Sequence, residues 1–157
     1  MEPDRRLRLR AATREDAEML LQWRNDQRTR LASQQSGEID EAHHQDWLAS
    51  SLANVNRMLM IAEENGVPVG TVRADYREGA YELSWTVAPD ARGRGVGKSM
   101  VALFITELPG DVYANVKKAN DASARIAEAA GMRLEGEDNG ILRYLRPEVC
   151  RIHGADR

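Results

Sequence analysis

The segment best suited to chemistry is Arg92-Gly93-Arg94-Gly95-Val96-Gly97-Lys98-Ser99. It lies between a stretch that alternates like a strand and one that is apolar like a helix. Glycines at a helix start leave backbone N–H groups unshielded, and such groups bind anions. Arg92, Arg94 and Lys98 add positive charge, so the segment points to a phosphate-bearing ligand. Spacing excludes two common phosphate loops. A Walker A loop needs four residues between its first glycine and Gly-Lys-Ser; Gly93 leaves three. A dinucleotide fingerprint from Gly93 and Gly95 needs its third glycine where this chain has Lys98. His44 is a second reactive candidate, since an unperturbed imidazole titrates near neutrality.

The elements that must position these residues alternate between strand and helix. Leu7–Ala11 reads as a strand by its period of two. Thr13 and Asp16 mark a helix start, and Ala17, Leu20, Leu21 and Arg24 follow at helical spacing. A polar loop is expected from Thr29 to Ile39, and a second helix over residues 40–54. Strands over 57–62, 67–75 and 80–87 form a meander, joined by Asn65-Gly66 and by a turn at Arg77-Glu78-Gly79. A helix over 97–108, a strand over 111–116, a helix from Asn120 or Asp121 to Gly131 and a closing hairpin complete the chain. The expectation is one α+β domain over residues 1–146, with a tail over 147–157. Its sheet would be mixed, mostly antiparallel, with six to seven strands and helices on both faces.

Arg92-x-x-Gly95-x-Gly97 resembles the pyrophosphate loop of the GNAT superfamily of N-acetyltransferases. Asn120, Ser123 and Gly131-Met132 resemble a further helix motif of that superfamily, and the element order is similar. Together the two motifs span residues 80–135. The resemblance implies acetyl-CoA as co-substrate. Its pyrophosphate would lie on Arg92, Gly93, Arg94, Gly95, Val96, Gly97 and Lys98. Its pantetheine arm would pair with the strand end at Trp85, Thr86 and Val87. The Val87 N–H would face the thioester oxygen, and Asn115, Asn120 and Ser123 would line the other side. Glu82, beside that place, is the candidate base for an amine that must lose a proton. Many superfamily members carry a tyrosine seven residues after the motif asparagine, as an acid for the leaving thiolate; here that position is Ala127. Ser123, Tyr113 or water would take its part.

The acceptor half has its own pattern. Trp23-Arg24-Asn25-Asp26, Arg30, Ser33 and His44-x-x-Trp47 resemble acetyltransferases acting on nucleotide-linked amino sugars of nonulosonic acid pathways. In that reading Arg24, Asn25, Arg30, His44 and Trp47 bind substrate, with an arginine on the diphosphate. Two alternatives stay open. One is an acetyltransferase of protein N-termini, with Glu38, Asp40 and Glu41 near the amine. The other is an acyl-CoA sensor without catalysis.

Composition excludes other classes. The net charge of −3 and an aromatic content of 5% disfavour a nucleic-acid binder. No apolar run approaches the ~20 residues of a membrane helix. The charged start at Met1 lacks the apolar stretch of a signal peptide. A lone cysteine, Cys150, cannot form an internal disulfide, which fits a reducing cytoplasm. No metal site is expected, and the chain would be a monomer or a homodimer.

Overall fold

Three tight turns set the meander and the closing hairpin. Asn65-Gly66, Glu78-Gly79 and Asn139-Gly140 each place two successive residues at positive φ, between 52° and 85°. That geometry matches the twist of antiparallel strands. The computed structural model describes residues 7–33 and 37–148, so Met1 and Cys150 lie outside the described residues. Its strands are β1 (Leu7–Ala11), β2 (Arg57–Glu64), β3 (Val67–Arg77), β4 (Ala80–Val87), β5 (Asp111–Lys117), β6 (Arg133–Asp138) and β7 (Ile141–Arg146). Its helices are α1 (Ala17–Asn25), α2 (Gln27–Ala32), α3 (Glu41–Ala53), α4 (Val96–Ile105) and α5 (Asp121–Ala129). Helix α2 falls where a loop was expected. The helix expected to reach Leu108 stops at Ile105.

The seven strands lie in the order β1-β2-β3-β4-β5-β7-β6. Among the described residues only β4 and β5 pair in parallel. This is the mixed, mostly antiparallel sheet expected from the sequence. Opposed residues of antiparallel neighbours share a face, and Gly70, Val72 and Ala74 oppose Val87, Trp85 and Leu83. Gly70 lies against Met100 of α4, so this face packs on α4. Leu83, Met100, Val101, Phe104, Val112 and Ala127 are buried there. The other face carries Leu59 and Ile61, and α1 and α3 pack on it with Leu20, Trp23 and Leu48. Glu82, Ser84 and Thr86 point to this second face. Trp23 is thus a core residue.

Two arginines brace the ends of the fold. Arg10 holds Asp16 with two hydrogen bonds of 2.8 and 2.9 Å. Asp16 in turn closes a capping box with Thr13, which fixes the 3-10 turn Arg14–Asp16 that leads into α1. Arg146 donates to the carbonyls of Ile105, Leu108 and Gly110 at 3.0, 2.7 and 2.5 Å. A cation at the C-terminal end of α4 also meets the negative end of its dipole.

Candidate active site

Four helical segments begin with a side-chain cap: Thr13, Asp26, Asp40 and Asn120 each accept a bond from the first turn. Helix α4 does not. Its N-cap is Gly95 in the left-handed region (φ 76°), preceded by Gly93 at φ 81°. The first N–H groups of an α-helix have no partner within it, so an uncapped start presents them to an anion. Gly97 fits its place for another reason. A Cβ there would stand 2.5 Å from Ile126 Cδ1 and 3.1 Å from Val87 Cγ2, so its absence lets α4 lie close to α5 and β4.

The loop's two arginines are engaged elsewhere. Arg92 Nη2 donates to Asp26 Oδ2 at 2.5 Å and to Thr29 Oγ1 at 3.2 Å. Arg94 Nη1 donates to Glu64 Oε1 at 2.8 Å. Lys98 is exposed, and Arg94 keeps half of its side chain exposed beside its bond to Glu64. Arg92 and Arg94, expected on the ligand, make these ion pairs in the structure.

A slot leads from this loop into the sheet. β4 and β5 pair only through Ala80/Asp111, Tyr81/Val112 and Glu82/Tyr113. Beyond that register they diverge. Ala88 N donates to Val69 O at 2.8 Å, which makes that opposed pair a hydrogen-bonded one. By alternation Thr86 also turns its backbone to β3, whereas Leu83, Trp85 and Val87 turn theirs toward β5. The slot is therefore lined by main-chain donors and acceptors of Leu83, Trp85 and Val87. Thr86, expected to contribute its backbone, contributes a side chain on the other face. The Trp85 Nε1 is buried without a hydrogen-bond partner among the described residues.

Glu82 stands where the slot closes. Its Oε1 accepts from Arg77 Nη2 at 2.6 Å and its Oε2 from Asn115 Nδ2 at 3.3 Å. Glu82 and Asn115 are thus brought together across the two strands. Asn120 and Ser123 are engaged with each other: Asn120 Oδ1 accepts from Ser123 N at 3.1 Å, and its Nδ2 donates to Ser123 Oγ at 3.0 Å. They secure the start of α5. Ala127 is fully buried and carries no group that could give up a proton. Tyr113 lies under the Arg143 guanidinium, 4.1 Å from its ring centre.

The acceptor candidates line α1, α2 and α3. Asn25 is committed at both ends of its amide: Nδ2 donates to Ile39 O at 2.7 Å, and Oδ1 accepts from Ile39 N at 2.8 Å. It staples the connection to α3 rather than facing a ligand. Arg24 is partly desolvated, and the Arg30 charge nearby lowers its affinity for a proton further. The Arg30 Nε is buried with no hydrogen-bond partner among the described residues. Trp47 is half-buried and tilts against His44, with ring centres 5.4 Å apart. Asp40, an expected acceptor contact, instead caps α3 and pairs with His43.

His44 is buried, and that burial pushes its imidazole below the ordinary range, with Arg24 adding to the effect. The unfolded imidazole titrates near 6.5. The unfolded chain therefore binds more protons just below that pH, and stability falls as pH drops through it. His43 has the opposite sign, being raised by Asp40, but it is fully exposed. Thermal unfolding between about pH 7.5 and 5.5 should show Tm falling, and His44→Gln should flatten that slope. An unchanged slope would assign the effect elsewhere.

The acetyltransferase (GNAT) domain family matches residues 6–133. The chain belongs to this family. A comparison with curated proteins finds no match. Among solved structures the GNAT chain is similar to a ribosomal-protein-alanine N-acetyltransferase from Brucella melitensis, at 25% identity and TM-score 0.75, covering 89% of this chain and 99% of that one. It shares its fold with an aminoglycoside acetyltransferase in complex with coenzyme A and kanamycin (21% identity, TM-score 0.77, 90% and 94% covered). It also shares it with a spermidine N-acetyltransferase from Vibrio cholerae in complex with CoA and spermine (17% identity, TM-score 0.77, 90% and 95% covered).

The enzyme is accordingly an N-acetyltransferase with acetyl-CoA as co-substrate. The site fits that molecule. An uncapped helix start suits a pyrophosphate, and an unpaired strand edge suits an amide-bearing arm. Among the described residues no helix is long and apolar enough to cross a membrane. None of the His, Cys, Asp or Glu groups there could hold a metal ion. Three residues near the GNAT site went unread in the sequence. Arg73 sits on the acceptor face, its Nε 3.2 Å from Asp75 Oδ2 but not aligned to donate. Lys117 Nζ donates to Leu31 O at 2.9 Å, and Asp26 holds Arg92. Only the alternation of β5 hinted at Lys117, since it puts Tyr113, Asn115 and Lys117 on one face.

Proposed function

We propose that the enzyme acetylates the primary amine of a phosphate-bearing acceptor, with a nucleotide-linked amino sugar as the class in view. The observation that carries this is the pair Arg24 and Arg30. The Arg30 guanidinium lies close enough to disfavour the charge on the partly desolvated Arg24, and the Arg30 Nε is buried without a hydrogen-bond partner among the described residues. Burying a donor unmatched is costly, and an anion would satisfy it. The carboxylates nearby, Asp26 and Glu82, already serve arginines. A polycationic acceptor finds few free negative groups there.

In this proposal the Val87 N–H donates to the thioester oxygen as negative charge develops on it. Glu82 Oε2, oriented by Asn115 and Arg77, takes the proton from the attacking amine, directly or through one water. The amine nitrogen bonds to the acetyl carbon, the carbon–sulfur bond breaks, and the thiolate takes its proton from water. With Ala127 buried, α5 supplies no acid at that position.

The test is mass spectrometry after incubation with acetyl-CoA and a panel of amines. The panel contains a nucleotide-linked amino sugar, the same sugar unphosphorylated, spermine, and a peptide with a free N-terminus. The phosphate-bearing sugar should be acetylated fastest. Arg30→Ala should raise its KM about tenfold, the size of a lost charged hydrogen bond, and leave the unphosphorylated sugar unaffected. Equal turnover of both sugars would sink the proposal. A second reading, the peptide N-terminus, is favoured by the similarity to the ribosomal-protein-alanine acetyltransferase. Peptide acetylation in the same assay would establish it instead.

A further inference from the structure

Helix α2 has six residues and a polar sequence, Gln27-Arg28-Thr29-Arg30-Leu31-Ala32. A helix this short does not hold itself in water. Both of its ends are fixed from outside. At the N-terminal end Asp26 Oδ2 accepts from Thr29 N at 3.2 Å, and the same oxygen takes Arg92 Nη2. At the C-terminal end the Leu31 carbonyl takes Lys117 Nζ. Arg92 belongs to the loop that follows β4, and Lys117 ends β5. These two strands diverge to form the slot, so α2 spans its two lips.

We propose that Asp26 is a positioning residue that couples occupancy of the cofactor loop to the placement of α2. This rests on the acetyltransferase assignment. The Asp26 and Arg92 side chains are each only 24% exposed, so their pair is shielded beyond the ordinary surface ion pair. Arg92 is itself part of the glycine loop, and its side chain reaches Asp26 and Thr29 at the start of α2. Ordering of residues 92–98 by a bound pyrophosphate is passed through Arg92 to Asp26 and Thr29. Arg30, on the same short helix, is placed by the same contact. By linkage, whatever fixes α2 must strengthen cofactor binding by an equal factor.

The experiment is hydrogen exchange of the Thr29, Arg30 and Ser33 amides, with and without saturating CoA. Two of these bond within or across the turn, Arg30 N to Asp26 O at 2.9 Å and Ser33 N to Thr29 O at 3.0 Å. Asp26→Asn keeps a good N-cap and removes the charge that holds Arg92. In the unaltered chain CoA should slow exchange about fivefold or more, the lower range of allosteric coupling. In Asp26→Asn the amides should remain protected without CoA, the CoA-dependent slowing should vanish, and the Kd for CoA should rise by the same factor. Arg92→Lys should retain part of the response. A CoA response in Asp26→Asn equal to that of the unaltered chain overturns the proposal, as does general loss of protection with the response intact. If the unaltered chain binds CoA and α2 does not respond, the coupling fails and the enzyme assignment stands. If it does not bind CoA, both fail.

Discussion

Glu82→Gln should lower kcat by about a hundredfold, the low end of general-base effects, and leave the Kd for CoA within a factor of two or three. Gln keeps the shape, and its single oxygen can still accept from Arg77 or from Asn115 but not from both, so the local hydrogen bonding survives in part. What it loses is the capacity to take a proton from an ammonium. The slope of kcat/KM against pH should change as well, since free amine must then come from solution alone. Rate should recover at high pH, where the acceptor is already neutral. Steady-state kinetics from pH 6 to 10 with the nucleotide-linked sugar, beside calorimetric CoA binding, separates the cases. Unchanged kcat across that range would remove Glu82 from the proton path. Loss of CoA binding instead would make it a structural residue at the slot's closed end.

Gly70→Ala should cost about 2–3 kcal/mol, the upper part of the overpacking range. A Cβ there would stand 2.7 Å from Met100 Sδ and 2.9 Å from Thr86 O. Met100 can bend away, since its side chain is flexible. The Thr86 oxygen is backbone in the adjacent strand and cannot yield alone. At roughly 2–4 °C per kcal/mol for a chain of this size, Tm should fall by about 4–12 °C. The displaced elements are β4 and α4, which meet at the slot and the glycine loop, so CoA affinity should weaken too. Melting curves and CoA titrations on the one variant test both. A Tm within about 2 °C of the unaltered chain would show that β4 relaxes freely.

Much of this was legible because it is local. Period-two runs gave the strands, Asn65-Gly66 and Asn120 gave a turn and a cap, and the glycine-rich run from 93 to 97 marked the uncapped start of α4. The unread parts depend on contacts far apart in sequence. Helix α2 looked like loop because six polar residues carry no apolar stripe; Arg92, 66 positions from Asp26, helps hold its start. Local sequence shows the charge of the loop arginines but not their partners Asp26 and Glu64. Asn25 looked like a substrate contact because nothing nearby in sequence announces Ile39 as its partner. The divergence of β4 from β5 is invisible to strand patterning, which reports faces and not neighbours.

That divergence gives the molecule two strand edges in its middle rather than at its margin. An open edge is ordinarily a hazard, since it templates pairing with another chain. Here it is narrow and spanned by α2, which screens it from a whole polypeptide while leaving room for a slender, extended guest. Whatever occupies the gap serves as an eighth strand. Helix α2 therefore has a second consequence for the chain: it guards an internal strand edge that would otherwise be open to pairing with another polypeptide.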